Sequence, residues 1–286
     1  MLVTGATGQL GSAIVRAYAD SDVVALTRAE LDVSNPLAVR ERVRQARPDV
    51  IVNCVAYNEV DRAEEAPGLA MAVNAFAVRS LARAAEEQDA VLVHYGTDFV
   101  FDGETSTPYR EDAAPAPRST YAASKLLGDW FALDWVRAFV LRVESLFGSG
   151  VAWHGRRGTL DAIVDGLEQE REVRVFTDRV VSPSYIDDVA AATRFLVESG
   201  AAPGLYHCVN SGNGTWHEVA EETARILGVT PRFKTTTMAE AGLKAGRPRY
   251  CALDNSKLTA AGFPMPSWQD ALRRWLAARR HKIGTF

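Results

Sequence analysis

The sequence predicts an α/β protein, a doubly wound parallel sheet followed by a smaller α/β domain. Three observations carry that prediction. Apolar, β-prone runs alternate with helix-length segments from Met1 to about Gly148. A glycine-rich loop joins the first of those runs to the first helical pattern. Beyond Gly148 the alternation becomes irregular, which sets a second region apart. Strands divided by helices form βαβ units, and such units close into a parallel sheet through right-handed crossovers.

Each element follows from its own pattern. Met1–Thr4 is a short apolar strand, and Gln9–Ala19 is a helix with Leu10, Ile14 and Ala17 on one face. Val23–Leu26 is a strand, and Pro36–Ala46 a helix expected to turn Leu37, Val39 and Val43 inward. The β-branched run Val50–Val55 suits a strand buried on both faces. A helix from about Leu69 to Glu87, a strand over Ala90–Tyr95, a helix over Ser119–Trp135 and a strand over Ala138–Arg142 complete the first region. In the second, a loop rich in Gly and Arg, Val151–Gly158, precedes a helix at Thr159–Glu168 and a strand at Val173–Phe176. Helices at Ile186–Ser199, Trp216–Leu227 and Ser267–Arg280 and a strand at Leu205–Val209 follow, with the 186–199 helix returning to the first sheet. The expected division is 1–148 plus about 183–203 for the sheet domain, and 149–182 plus 204–286 for the smaller one.

Composition limits the function. The chain has 286 residues, 47% of them hydrophobic and 24% charged, with a net charge of -4, as for a soluble globular protein. That charge gives no long-range attraction to nucleic acid or to an anionic membrane, so an anionic ligand must be held by local donors. No apolar run approaches the ~20 residues that span a bilayer, and the N-terminus has no signal-like segment. A cytoplasmic protein fits. Cys54, Cys208 and Cys251 are far apart in sequence and sit among apolar residues, as buried reduced thiols do. The five histidines form no i,i+3 or i,i+4 pair, and no metal site is expected.

The loop Gly5-Ala6-Thr7-Gly8-Gln9-Leu10-Gly11 lies between the first strand and the first helix. Gly5 permits the tight turn, Gly8 lets backbone amides approach a pyrophosphate, and Gly11 lets helix and strand pack closely. Three glycines in such a loop are a weak signal alone; in strand–loop–helix order they mark a Rossmann-type dinucleotide site. Leu26-Thr27-Arg28 ends the second strand, where an acidic residue would bind a ribose 2′-hydroxyl. Arg28 suits a 2′-phosphate instead, or is a solvated surface arginine. NADPH is therefore expected, with NADH also usable. Asp32 and Val33 follow at a position able to cover the adenine edge.

Tyr121 and Lys125 stand at i and i+4, one turn apart on a single helix face. A free phenol has a pKa of about 10, and an adjacent ammonium is expected to lower it toward use as an acid–base. The pair alone is common on exposed helices. Thr97, just past the fourth strand, adds a hydroxyl at the sheet edge where ligands bind, placed to orient a carbonyl oxygen.

With those residues in place, the chain resembles the extended short-chain dehydrogenase/reductases. Thr4–Gly11 with Tyr121 and Lys125 carries the general likeness. Pro48–Asn53, Gly96–Gly103, Tyr206–Gly212 and Arg247–Leu258 are similar to one branch, the dTDP-4-dehydrorhamnose reductases. That resemblance implies hydride transfer from a nicotinamide to C4 of a nucleotide-activated 4-keto-6-deoxyhexose. Tyr121 would protonate the developing alkoxide, Thr97 hold that oxygen, and Lys125 tune Tyr121 and bind the nicotinamide ribose. It further implies that Asn53, Cys54, Val55, Ala56 and Tyr57 line the cofactor, and that Asn58, Val60 and Asp61 approach the sugar, with Asp98 beside them. Asn74 reads as structural. Some enzymes of the branch are dimers, so a homodimer is compatible with the reading.

Two departures bear on the substrate. The branch usually has Thr-Ser-Trp after the fifth strand, where this chain has Val143-Glu144-Ser145. Its usual Asp-Gln corresponds to Asp178-Arg179, and Arg179 could pair with Glu144 or bind a diphosphate. Arg156 and Arg157, with Arg179, Arg247 and Arg249, are the candidate diphosphate cations, and Trp153 could stack on base or sugar or pack in the fold. Two other readings stay open: reduction of a different dTDP-4-keto deoxysugar in secondary metabolism, or a non-catalytic NADP-binding regulator similar to the regulatory subunit of methionine adenosyltransferase. The second has no need of a proton donor.

Overall fold

The computed structural model describes residues 1–148 and 158–283. Its centre is a six-stranded sheet in the spatial order Gly204–His207, Ala138–Val143, Val91–Thr97, Val50–Asn53, Leu2–Thr4 and Val24–Leu26. Every pairing in it is parallel. The first strand lies between the second and the third, so the connections diverge from it in opposite directions. This is the switch point of a doubly wound sheet, and it opens a crevice at the carboxyl ends of the strands.

Helices cover both faces, which is why the central strands are apolar throughout. Leu2, Ile51 and Leu92 point to one side, with Val39 and Val43 of the helix Pro36–Ala46 and with Val78 and Leu81 of the helix Ala77–Glu87. Val3, Val52 and Val93 point to the other, with Ile14 of the helix Gln9–Ala17 and Val189 of the helix Ile186–Glu198. The helix Ile186–Glu198 is tied to the end of Gln9–Ala17: Arg194 bonds the Ala17 carbonyl and both oxygens of Asp20, at 2.7, 2.9 and 2.8 Å.

Leu37 does not turn inward; it is 77% exposed. It sits two positions before Val39, about 200° round the helix from the buried stripe. The strand Gly204–His207 pairs with Ala138–Val143, so the main sheet extends past the boundary expected near 203. Outside that sheet, Val173–Phe176 pairs with Phe233–Thr236, a strand the sequence pattern did not announce. The long helical run also has an inner break: Pro67–Met71 passes through a π turn at Ala72–Phe76 before Ala77–Glu87 begins.

Candidate active site

The glycine loop forms the expected cradle. Gly5 has φ +67°, a left-handed conformation that favours glycine, and a Cβ there would press on Cys54 and Val55 at 3.1 Å. A Cβ on Gly11 would stand 2.2 Å from the Gly5 carbonyl oxygen, so only glycine lets helix and loop close. Gly8 caps the helix Gln9–Ala17 without a side-chain bond, and the first turn holds no acidic residue. Its amides thus meet no local anion, which fits a pyrophosphate. Thr7 is exposed on this loop, Leu10 is buried beneath it, and Gln9 reaches the Leu146 carbonyl at 3.4 Å.

Arg28 is exposed at the end of the second strand, and the nearby Glu30 is folded back onto the Thr27 amide at 2.8 Å. Asp32 is occupied with the Ser34 amide and hydroxyl, which hold its carboxyl below the usual range. Val33 is buried in the apolar layer under the second strand. On the other side of the cradle, Cys54 and Val55 are half-buried and Ala56 and Asn58 exposed, while Val60 opens a short helix, Val60–Ala63. Asn74 fixes this segment. Its side chain accepts from the Tyr57 amide at 2.8 Å and donates to the Tyr57 carbonyl and the Ser124 hydroxyl, both at 2.9 Å. The π turn carries Asn74, and its structural reading agrees with these bonds. Asp61 is held away from a free role: both its oxygens bond Arg247 at 2.9 Å, and this pairing keeps its pKa at about 2.

Thr97 ends the fourth strand, and Tyr121 and Lys125 lie one turn apart on the helix Thr120–Leu133. The Ser119 hydroxyl caps that helix by accepting from the Ala122 amide at 3.2 Å. Phe99 meets the Tyr121 ring edge-on at 5.6 Å. One expectation fails here. Burial raises the Tyr121 pKa, and the group that lowers it is the Thr97 hydroxyl rather than Lys125. The ammonium instead donates to the Tyr95 carbonyl and stands 3.5 Å from His94 Nε2. A phenol held in its protonated form still suits the reduction direction, where it must give a proton away.

Two buried polar clusters flank this pair. The first is a row of residues in register across three strands, Thr4, Asn53 and His94. Asn53 Oδ1 accepts from the Thr4 hydroxyl at 2.9 Å and the Val55 amide at 3.2 Å, so its amide nitrogen donates to His94 Nδ1 at 3.2 Å. His94 therefore carries its proton on Nε2, facing Lys125 and, at 3.8 Å, Asp129 Oδ1. Asp129 Oδ2 takes the Arg142 Nε proton at 3.0 Å. Burial lowers Lys125 to about 8, against the opposing pull of Asp129. The resemblance implied Asn53 only as a cofactor-lining residue, and its pairing with Thr4 and His94 was not legible; the one signal of it is polar residues placed in otherwise apolar strands.

The second cluster joins Asp98, Glu144, Arg179 and Cys251. Glu144 accepts from the Ser182 amide at 2.6 Å, and the Arg179 guanidinium lies 5.2 Å over the Phe99 ring and 3.9 Å from Cys251 Sγ. Ligand-type atoms of Asp98, Glu144 and Cys251 fall within 4.8 Å of one another, and the cation already among them is Arg179. Asp98 is pushed up to about 6 by burial, with Arg179 opposing. Glu144 is raised further, by burial and then by Asp98. Ser145 follows at φ +45°, a strained turn out of the fifth strand. Trp153, Arg156 and Arg157 lie outside the described residues.

A glycine cradle at a switch point with Thr97, Tyr121 and Lys125 beside it defines the extended short-chain dehydrogenase/reductase class. Comparison with known proteins narrows this. The family described as RmlD substrate binding domain matches residues 1–281, and the chain belongs to that family. A dTDP-4-dehydrorhamnose reductase of Streptomyces griseus is 39% identical, over 95% of this chain and 91% of its own. A probable dTDP-4,6-dihydroxy-2-methyloxan-3-one 4-ketoreductase of Streptomyces antibioticus is 35% identical, over 95% and 92%. Among solved structures, a dTDP-4-dehydrorhamnose reductase of Bacillus anthracis in complex with NADP superposes with a TM-score of 0.90 at 30% identity, covering 97% of this chain and 98% of that one.

Proposed function

We propose that the protein reduces the C4 ketone of a dTDP-4-keto-6-deoxyhexose with NADPH, with dTDP-4-dehydrorhamnose as the leading substrate. The observation that carries this is the convergence of Thr97, Tyr121 and Lys125 beside the Gly5–Gly11 cradle at one sheet edge. Bound there, the nicotinamide supplies the hydride. The chain's own part is to seat the pyrophosphate on the amides of the cradle and to meet the 2′-phosphate with Arg28. Thr97 and Tyr121 then hold the carbonyl oxygen, and Tyr121 gives it the proton as the alkoxide forms. Asp98, Glu144, Ser145 and Arg179 are assigned in this reading to the sugar side of that oxygen. NADPH absorbance followed with a panel of dTDP-4-keto sugars tests the reading; no oxidation with any of them sinks it.

A second substrate is favoured by one observation: Glu144 and Ser145 stand where a neutral hydroxyl and a large ring are usual in the branch. The panel therefore includes 4-keto sugars lacking a ring hydroxyl, as in the reaction named for the Streptomyces antibioticus relative. The intact Tyr121 and Lys125 speak against a purely regulatory role. A homodimer is supported by Leu69, Phe76, Trp130 and Leu133, large apolar side chains exposed on neighbouring helices. Sedimentation velocity of wild type against Phe76→Glu decides it; two monomeric species overturn the dimer.

A further inference from the structure

The Thr97 hydroxyl has one hydrogen, for which Asp98 and the Tyr121 phenol compete: Oγ1 donates to Asp98 Oδ1 at 3.0 Å, accepts from the Phe99 amide at 3.3 Å, and lies within hydrogen-bond reach of Tyr121. To stabilise a substrate alkoxide, Thr97 must donate that same hydrogen forward. The strength of Asp98 as an acceptor therefore controls the hydroxyl. Asp98 Oδ2, Glu144 Oε1 and Arg179 Nε are all buried, and none has a hydrogen-bond partner among the described residues. Two buried carboxyls with oxygens within 4.8 Å of each other, facing one guanidinium among the described residues, cannot both ionise without a large cost, so one of them keeps its proton.

We propose that Asp98 and Glu144 are a proton-sharing pair that positions the Thr97 hydroxyl, releasing its hydrogen to the substrate when the pair is protonated and retaining it when Asp98 is ionised. This rests on the reduction proposed above. Asp98 and Glu144 are positioning residues here, acting through Thr97. The charged and titratable groups facing them are Arg179, the Cys251 thiol, the Tyr250 phenol and Tyr121. Arg179 favours one negative charge in the cluster, and burial disfavours a second. The pair thus keeps one proton that two separate surface carboxyls would have lost.

Two measurements test it. Infrared difference spectra of the ligand-free protein at neutral pH, above the Asp98 step, should show the C=O stretch of a buried protonated carboxyl, absent in Glu144→Gln. This arm needs no substrate. Turnover at saturating NADPH and dTDP-4-keto sugar should fall in two steps as pH rises, the lower from Asp98 and the upper from Lys125. Asp98→Asn should lose the lower step and keep the upper, in kcat rather than KM. Glu144→Gln, which replaces an acid that holds its proton while Asp98 titrates, should leave the lower step near its wild-type pH. A lower step retained in Asp98→Asn, with turnover merely scaled, would overturn the proposal. So would a wild-type spectrum with no protonated carboxyl, whether or not the variants fold. If the carboxyl band is present but no sugar is reduced, the reduction reading fails and the shared proton stands.

Discussion

The two buried clusters on either side of Tyr121 are mirror images in charge. Behind the sheet edge, Lys125 and Arg142 share one carboxylate, Asp129, with a neutral His94 between them. In front, Asp98 and Glu144 share one guanidinium, Arg179. Among the described residues, each is a single charge from neutrality, in opposite directions. Burial therefore drives Lys125 toward losing a proton and Glu144 toward keeping one. The contrast teaches that the two clusters hold their protons in opposite ways, and that neither is well explained as a device for stability, since replacing buried ion pairs by apolar packing is often neutral or stabilising.

Removing what both clusters flank should have the largest effect. Tyr121→Phe keeps the edge contact with Phe99 and loses the proton donor, so kcat should fall about 10²–10⁴-fold. NADPH affinity, read by fluorescence titration, should stay near wild type; full turnover by the variant would end the role given to Tyr121. The next effect separates the clusters. Asp129→Asn leaves two buried cations without their carboxylate and should lower unfolding stability by about 3–5 kcal/mol. Glu144→Gln removes an acid from a cluster with one to spare, and denaturant midpoints should show a far smaller loss. Equal losses would erase the contrast.

The clusters should also tilt stability against pH in opposite senses. Asp98 has a raised pKa, so its contribution is complete below the ordinary carboxylate range and is lost as pH rises through about 6. Lys125 is lowered to about 8; the unfolded chain binds more protons above that value, and stability gains as pH climbs toward 10.5. Asp98→Asn should flatten the first slope in midpoints measured from acid to neutral pH and leave the second. The smallest effect lies outside both clusters. Arg28→Ala should weaken NADPH about tenfold or somewhat more, the size of a charged hydrogen bond, and leave NADH nearly unmoved. Equal weakening of both would show that Arg28 does not read the 2′-phosphate.

Much of this architecture was legible in the residues. Val50–Val55 announced a doubly buried strand, the glycines announced a cradle, and Tyr121 and Lys125 announced one helix face. These are local signals, carried by spacing. What the sequence hid depends on strand register and long-range approach. Asn53 and His94 are 41 positions apart yet directly paired. Cys251 joins Asp98 only because the late segment Tyr250–Leu253 packs against the Val180–Ser182 turn. Glu144 and Arg179 were suspected partners, but Asp98 between them was not. The direction of the Tyr121 shift was misjudged for a related reason: i and i+4 place two side chains on one face, and do not decide which neighbour the ammonium prefers. Leu37 shows the same limit on a helix, apolar but off the stripe.

The Asn74 clamp divides the molecule into parts that can and cannot be changed separately. It binds the loop at Tyr57 to Ser124, one residue before Lys125, so that loop and the helix of Tyr121 are tied together. Arg28 and the second strand hang outside that clamp. With the cofactor seated as proposed, coenzyme choice would be modular: NADPH would be exchanged for NADH at the far rim without retuning the chemistry. A change of sugar chemistry offers no such freedom, because it begins inside the buried clusters.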